Sequence, residues 1–252
     1  PILLELLLQI LVGNVDQLMI SHYSQPAVAA IGNANQIINI VIILLTVTST
    51  ANTILVSQYL GARNNLKIAE ICTVSLVLNA LFSLMTSVVL LLFGKTLLQW
   101  LQVPVDILEE ASLYLKIVGG GIILQGIYFS LVSSFRGFSY IKMTLVVSII
   151  MNIFHVGSNY VLIFGMGAIP ALGVLGVSIS TNLSKFLGLV ILLVLFFRYL
   201  KIDLSWRYLK PFPWDSAKKI LSIAVPSGAE TLSYQLSQTF IMKMVNVFGL
   251  IV

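Results

Sequence analysis

Long apolar runs recur along this chain, separated by short polar stretches. A hydrocarbon core about 30 Å thick is crossed by about 20 mostly apolar residues in a helix. Residues 1–23, 34–60, 68–93, 113–135, 144–164 and 174–200 meet that requirement, and a seventh run starts at Ala217. Lipid offers bare backbone no hydrogen-bond partner, so each run must be a helix or part of a closed barrel. Barrel strands are about 10 residues long and alternate in polarity, unlike these runs. The expected fold is an all-α polytopic membrane protein. It has six transmembrane helices of one lobe (1–200), a basic cytoplasmic linker (201–216) and the first helix of a second lobe (217–252).

The stretch 201–214 is the best linker because it is polar and basic and carries Pro211 and Pro213. The run on its far side echoes the beginning of the chain. At one constant offset Pro1 recurs as Pro226, Glu5 as Glu230, Leu7 as Leu232, Leu11 as Leu236 and Met19 as Met244. Leucine is abundant, so the Pro-x-x-x-Glu pair is the informative part. Internal repeats are frequent in transporter folds. Both ends of the sequence fall inside apolar runs, which reads as a segment of a longer chain rather than a signal peptide.

Charge changes the picture by giving an orientation. Arg63 and Lys67 follow the second run, Arg136 and Lys142 the fourth, and Arg198, Lys201, Arg207, Lys210, Lys218 and Lys219 the sixth. The intervening loops hold Lys95 beside Asp106, Glu109 and Glu110. Lys/Arg-rich loops stay in the cytoplasm, so the first helix is expected to start there. The formal charge of +5 is explained by topology, and no nucleic-acid partner is expected. Composition agrees, with 58% hydrophobic and 9% charged residues against roughly 25% charged in soluble domains. Cys72 is the single cysteine and His22 and His155 the two histidines, which excludes a disulfide framework or a Cys/His metal cluster. No phosphate loop, HExxH or nucleophile elbow is present. Gly119–Gly121 lacks the context of a dinucleotide site. An enzyme is not expected, nor a cofactor beyond a coupling ion.

Polar side chains at membrane depth are expensive and face a bundle interior or a water-filled cavity. The first run carries Glu5, Gln9, Gly13 and Asp16, with Glu5, Gln9 and Asp16 within about 40° of one another around a helix. A carboxyl placed like Asp16 can take up a proton, or accept Na⁺ together with nearby carbonyls and amides. The alternative is a structural Asp bonded to a neighbouring helix. Glu5 lies nearer the cytoplasmic end and is either interfacial or part of the cavity. Ser148, Asn152, His155 and Asn159 make a second stripe within about 60°. It either binds helices together or lines a cavity, and His155 suits a proton relay or a packed hydrogen-bonding role. The second run is dense in Asn, Gln36, Ser and Thr; the sixth adds Thr181 and Lys185, the latter close enough to the cytoplasm to snorkel. The seventh adds Glu230, Tyr234, Ser237 and Gln238, and Glu230 follows a helix-bending Pro226 and Gly228. Glu5, Gln9, Gln36, Asn152, Glu230 and Tyr234 are the candidate substrate-cavity residues.

Gly13 to Gln36, GNVDQLMISHYSQPAVAAIGNANQ, resembles the first-helix signature of the multidrug and toxic compound extrusion (MATE) family. SQYLGARN (57–64), SSFRGFSYIK (133–142), NYVLIFG (159–165), LGVLGVSIST (172–181) and PSGAETLSYQLSQ (226–238) resemble later family motifs in the right order. The resemblance spans essentially the whole chain. It implies twelve helices in two lobes and Na⁺- or H⁺-coupled export of cationic, amphipathic compounds across the cell membrane, such as the bacterial plasma membrane. It implies a monomer when full length, in contact with lipid and small organic cations. Asp16 matches the family's first-helix Asp, tied to cation coupling, and Thr181 matches the Thr of the sixth-helix pair, here Ser180–Thr181. Some members carry an Asn and, four residues on, an Asp in the fifth helix. Here those places hold His155 and Asn159, so the second acid is missing. The resemblance therefore nominates Asp16, Asn159, His155 and Thr181 for cation or proton coupling, with Asp16 as the Na⁺ ligand. A lipid-linked precursor flippase of the same superfamily is the alternative. It would want a more cationic cavity. A non-transporting scaffold would not need polar stripes on several helices.

Overall fold

The computed structural model describes residues 2–167 and 169–248. Among them it is helical almost throughout, in the order α1 (Ile2–Tyr23), α2 (Gln25–Gly61), α3 (Asn65–Trp100), α4 (Val105–Gly120), α5 (Ile122–Gly137), α6 (Ile141–Phe164), α7 (Val174–Leu195) and α8 (Trp214–Phe248). α2, α3, α6 and α7 with its terminal π turn are each long and apolar enough to cross a membrane, and α4 with α5 makes a fifth, bent crossing. α1, at 22 residues, and α8, at 35, also have the length of a crossing.

The helices start and stop where local chemistry directs. Ser24 Oγ accepts from Ala27 N–H at the start of α2, with Pro26 in its first turn. Asn64 Oδ1 accepts from Lys67 N–H at 3.1 Å at the start of α3. Each satisfies a backbone donor that a helix beginning leaves unpaired. The lipid side is read from exposed apolar residues at helical spacing: Leu81, Leu84, Met85, Val88 and Leu92 on α3, and Leu4, Leu7, Leu11 and Leu18 on α1. Glu5, Gly13 and Asp16 of α1 face the other way, into the bundle.

The fourth predicted crossing is broken in two. α4 and α5 meet at Gly121 with a 45° bend. The cause is a side chain set against the helix ladder. Asn182 of α7 donates from Nδ2 to the Ile117 carbonyl at 2.6 Å, the same carbonyl that Gly121 N–H reaches at 3.2 Å. A Cβ on Gly121 would lie 2.1 Å from Asn182 Oδ1, so only glycine leaves room for that amide.

The last element holds both Pro226 and Gly228. α8 runs on through Pro226 without a break. Pro226 and its neighbours Val225 and Ser227 are exposed, where a missing N–H leaves no buried gap. Gly228 instead lets α8 approach α2, with Val47 Cγ1 3.2 Å from where a Cβ would stand. α8 lies antiparallel along most of α2: Lys219 donates to Tyr59 Oη near one end, and Asn246 donates to Asn33 Oδ1 at 2.7 Å near the other. The segment between α7 and α8 is not loose. Ile202, Leu204, Leu209 and Phe212 pack on buried clusters built by α2, α3, α5, α7 and α8.

The polar density of α2 divides between two duties. Thr48 and Ser49 join Asn79 of α3, whose Nδ2 also donates to Ser130 of α5 at 2.7 Å, while Asn52 donates to Ser133 at 2.7 Å. These bonds fasten three helices together, each contributing about 1 kcal/mol or less in a membrane. Asn39, Thr46 and Thr50 line a cavity instead.

Candidate functional site

α6 and α7 form the wall on which the site is built. Gly176 brings α7 so close to the end of α6 that a Cβ would stand 2.4 Å from the Leu162 carbonyl oxygen. Further along, Ser158 and Ser180 hydroxyls meet at 2.6 Å, and Ser180 Oγ donates to the His155 carbonyl at 3.2 Å. Small residues at a helix seam allow this approach. The seam sets the stripes of α6 and α7 side by side, and both look towards α1.

Asp16 of α1 meets that wall. Asn159 Nδ2 donates to Asp16 Oδ1 at 2.6 Å, and His155 Nε2 lies 3.6 Å from Oδ2. Asn159 is fully buried, while the Asp16 side chain keeps 25% of its exposure. That fraction separates a carboxyl locked in packing from one open to small ions. Among the described residues, His155 Nε2, Asn159 Oδ1 and Asn152 Nδ2 are buried without a hydrogen-bond partner. Native interiors leave few such atoms, and these three cluster on one face of α6 beside the carboxyl.

Two cavities meet at Asp16. The larger, about 540 Å³, extends from Asp16, Tyr114 and Thr181 past Asn152, His155 and Lys185 to Glu5 and Arg136. The smaller, about 280 Å³, lies beyond Asp16 among Asn14, Gln17, Ile20, Val28 and Ile31. Gly13, Asp16, Asn35 and Tyr114 border both, and Tyr114 Oη donates to Asn35 Oδ1 at 3.2 Å. The larger volume is in the range of pockets that enclose a drug-sized molecule, roughly 300–1,000 Å³.

The structure brings together Asp16, Asn159, His155 and Thr181 and places Asn152 and Glu5 in the same cavity. It separates others from it. Gln36 accepts from Gln235 of α8 at 3.0 Å, in the α2–α8 seam, and Tyr234 is 67% exposed on the outer face of α8. The side chains of Gln9 and Glu230 lie outside the described ones. Sequence reasoning did not reach Tyr114, and took Arg136 for a loop charge and Lys185 for a snorkelling one. A signal for Arg136 existed in the buried Glu5 it pairs with.

Glu5 faces the bundle. Its side chain is 6% exposed and accepts from Arg136 Nη2 at 2.8 Å, linking the first turn of α1 to the last turn of α5. Removing one member of such a pair strands the other charge, but Arg136 keeps 32% exposure and water screens part of the loss. Glu5→Gln is expected to cost about 1–2 kcal/mol, and adding Arg136→Gln to recover part of it. Thermal unfolding of the single and double variants measures the coupling.

The chain matches the MatE family model over residues 1–161. It is 33% identical over 249 residues to the uncharacterized transporter YisQ of Bacillus subtilis, covering 99% of this chain and 55% of that one. It is 27% identical over 248 residues to the probable multidrug resistance protein NorM of Thermotoga maritima, covering 98% and 52%. The fold superimposes with a TM-score of 0.82, at 18% identity, on the inward-facing conformation of a multidrug resistance MATE family transporter of the MOP superfamily, over 95% of this chain and 56% of that one. The chain thus spans about half the length of the curated relatives it matches. With the family model covering well over half of its residues, the chain belongs to the MatE family of multi-pass membrane transporters.

Proposed function

We propose that this chain is the N-terminal part of a secondary antiporter, which exports amphipathic or cationic organic compounds in exchange for Na⁺ or H⁺. One observation carries the reading: a partly accessible carboxyl, Asp16, sits where two cavities meet. A group so placed can load a cation or proton from one side and discharge it to the other as α1 shifts. Asp16 Oδ2, with Asn159 Oδ1 within the same cluster, supplies oxygen ligands of the type Na⁺ takes, and His155 beside them offers a nitrogen for a proton. Thr181, Asn152 and Glu5 belong to the same cavity wall.

In this reading α1 to α7 form a six-helix lobe, α4 and α5 counting as one bent crossing, and α8 opens a second lobe. The long antiparallel contact of α8 with α2 supports giving it the depth of a full crossing. The basic residues at 198–219 support a cytoplasmic linker there and a cytoplasmic start for α1 in a bacterial plasma membrane. The working unit is a monomer. The test is efflux of a fluorescent organic cation from proteoliposomes of the full-length protein, with Na⁺ and pH gradients imposed separately. Efflux driven by one gradient and collapsed by its ionophore is expected. Equal efflux with neither gradient would show a passive pore and end the proposal.

A further inference from the structure

We propose that the large cavity holds part of its cargo by an anionic group, a carboxylate or phosphate seated on Lys185, so that a zwitterionic or anionic amphiphile is preferred over an otherwise similar plain organic cation. This rests on the export reading above and names the substrate class of the same cavity.

Four full charges line the cavity: Glu5, Asp16, Arg136 and Lys185. Three are engaged. Glu5 and Arg136 hold each other at 2.8 Å, and Asp16 accepts from Asn159. Among the described residues Lys185 makes neither an ion pair nor a hydrogen bond. It follows Thr181 by one helical turn on α7 and lines the cavity rather than reaching out to the interface. An ammonium has three donors and no acceptor, and a lone cation at membrane depth is retained where it has work to do.

A second observation points the same way. Arg136 Nε and Asn152 Nδ2, both on residues lining this cavity, are buried without an acceptor. Lys185, Asn152 and Arg136 thus bring spare donors to one cavity. A carboxylate or phosphate, which accepts several hydrogen bonds at once, complements such a wall. An organic cation leaves those donors unmet, and its own partners in the cavity are Asp16 and the rings of Tyr114, Tyr128 and Phe129. The cavity has two poles: Asp16 at the junction suits a positive group, and the Lys185 wall a negative one.

The probe is a rhodamine bearing a free carboxylate, compared with its methyl ester, which is cationic and otherwise alike. Binding to the purified full-length protein is read by fluorescence polarisation, and export from proteoliposomes by dye release. A short-chain lipid phosphate serves as competitor in both. The acid is expected to bind about ten-fold tighter than the ester, the scale of one hydrogen bond to a charged group. Lys185→Met should remove the preference for the acid and Lys185→Arg keep it. Removing an unpaired internal charge does not threaten the fold. If the acid has no advantage but lipid phosphate displaces the ester in a Lys185-dependent way, the anionic group belongs to a lipid and the seat stands. Equal binding of acid and ester, with no Lys185-dependent displacement by lipid phosphate, overturns the proposal. Absence of all export with the acid preference intact would defeat the export reading while leaving the anion seat in place.

Discussion

Asp16→Asn is expected to reduce ion-coupled efflux of the full-length protein to the level of protein-free vesicles. Asparagine fills nearly the same volume, and its carbonyl oxygen can still accept from Asn159 Nδ2, so the α1–α6 contact survives. What it loses is the ability to change charge. One elementary charge moved across about 100 mV supplies about 2.3 kcal/mol. Since 1.4 kcal/mol is a factor of ten, that sustains roughly a fifty-fold cargo gradient. The variant should lose that whole gradient while melting within about 1 kcal/mol of the parent. Asp16→Glu, which keeps the charge, should retain part of it. Undiminished coupled efflux in the Asn variant would take Asp16 out of the mechanism.

Gly176→Val is expected to prevent accumulation of folded protein. The glycine is buried, and the obstacle to any side chain there is the Leu162 carbonyl, 2.4 Å from where Cβ would stand, with Ile163 N at 3.0 Å. Backbone cannot turn aside as a side-chain tip can. Excess volume in a packed interior costs about 1–3 kcal/mol and occasionally more, and a collision with backbone falls at or above the top of that range. Total stability is only about 5–15 kcal/mol. Gly176→Ala should lower the thermal midpoint clearly, and the valine should leave only aggregate by fluorescence-detected size exclusion. By contrast Gly157, with open space around its position, should accept alanine without loss.

The all-helical character was legible because long apolar runs without alternation are helical; α6 was expected over 144–164 and spans Ile141–Phe164. That Asp16, His155 and Asn159 adjoin was legible for a similar reason, since polar groups stand out against lipid and helical period assigns them a face. The bend at Gly121 was not legible, because its cause is Asn182, distant in sequence and brought there only by packing. Tyr114 escaped notice because an aromatic residue in an apolar run looks like core until its hydroxyl is seen against Asn35. Gln36 and Tyr234 were assigned to the cavity on polarity alone. The Gln36–Gln235 bond between α2 and α8 comes from packing that the sequence pattern does not encode. The place of Lys185 on the cavity wall was not legible, because a lysine has more than one direction open to it and its neighbours choose among them.

Asn159 joins α1 to α6 with one half of its amide while the other half, Oδ1, stays unemployed. An amide is a two-handed group: one hand gives a proton, the other takes one. Facing an ionised Asp16 it gives, as seen. Facing a neutral acid, half a turn about its last bond lets it take. The clasp between the two helices then outlives the titration that it witnesses, so loading and unloading the carrier need not tear the lobe open. A leucine at 159 would remove both hands, and an aspartate would keep only the taking one.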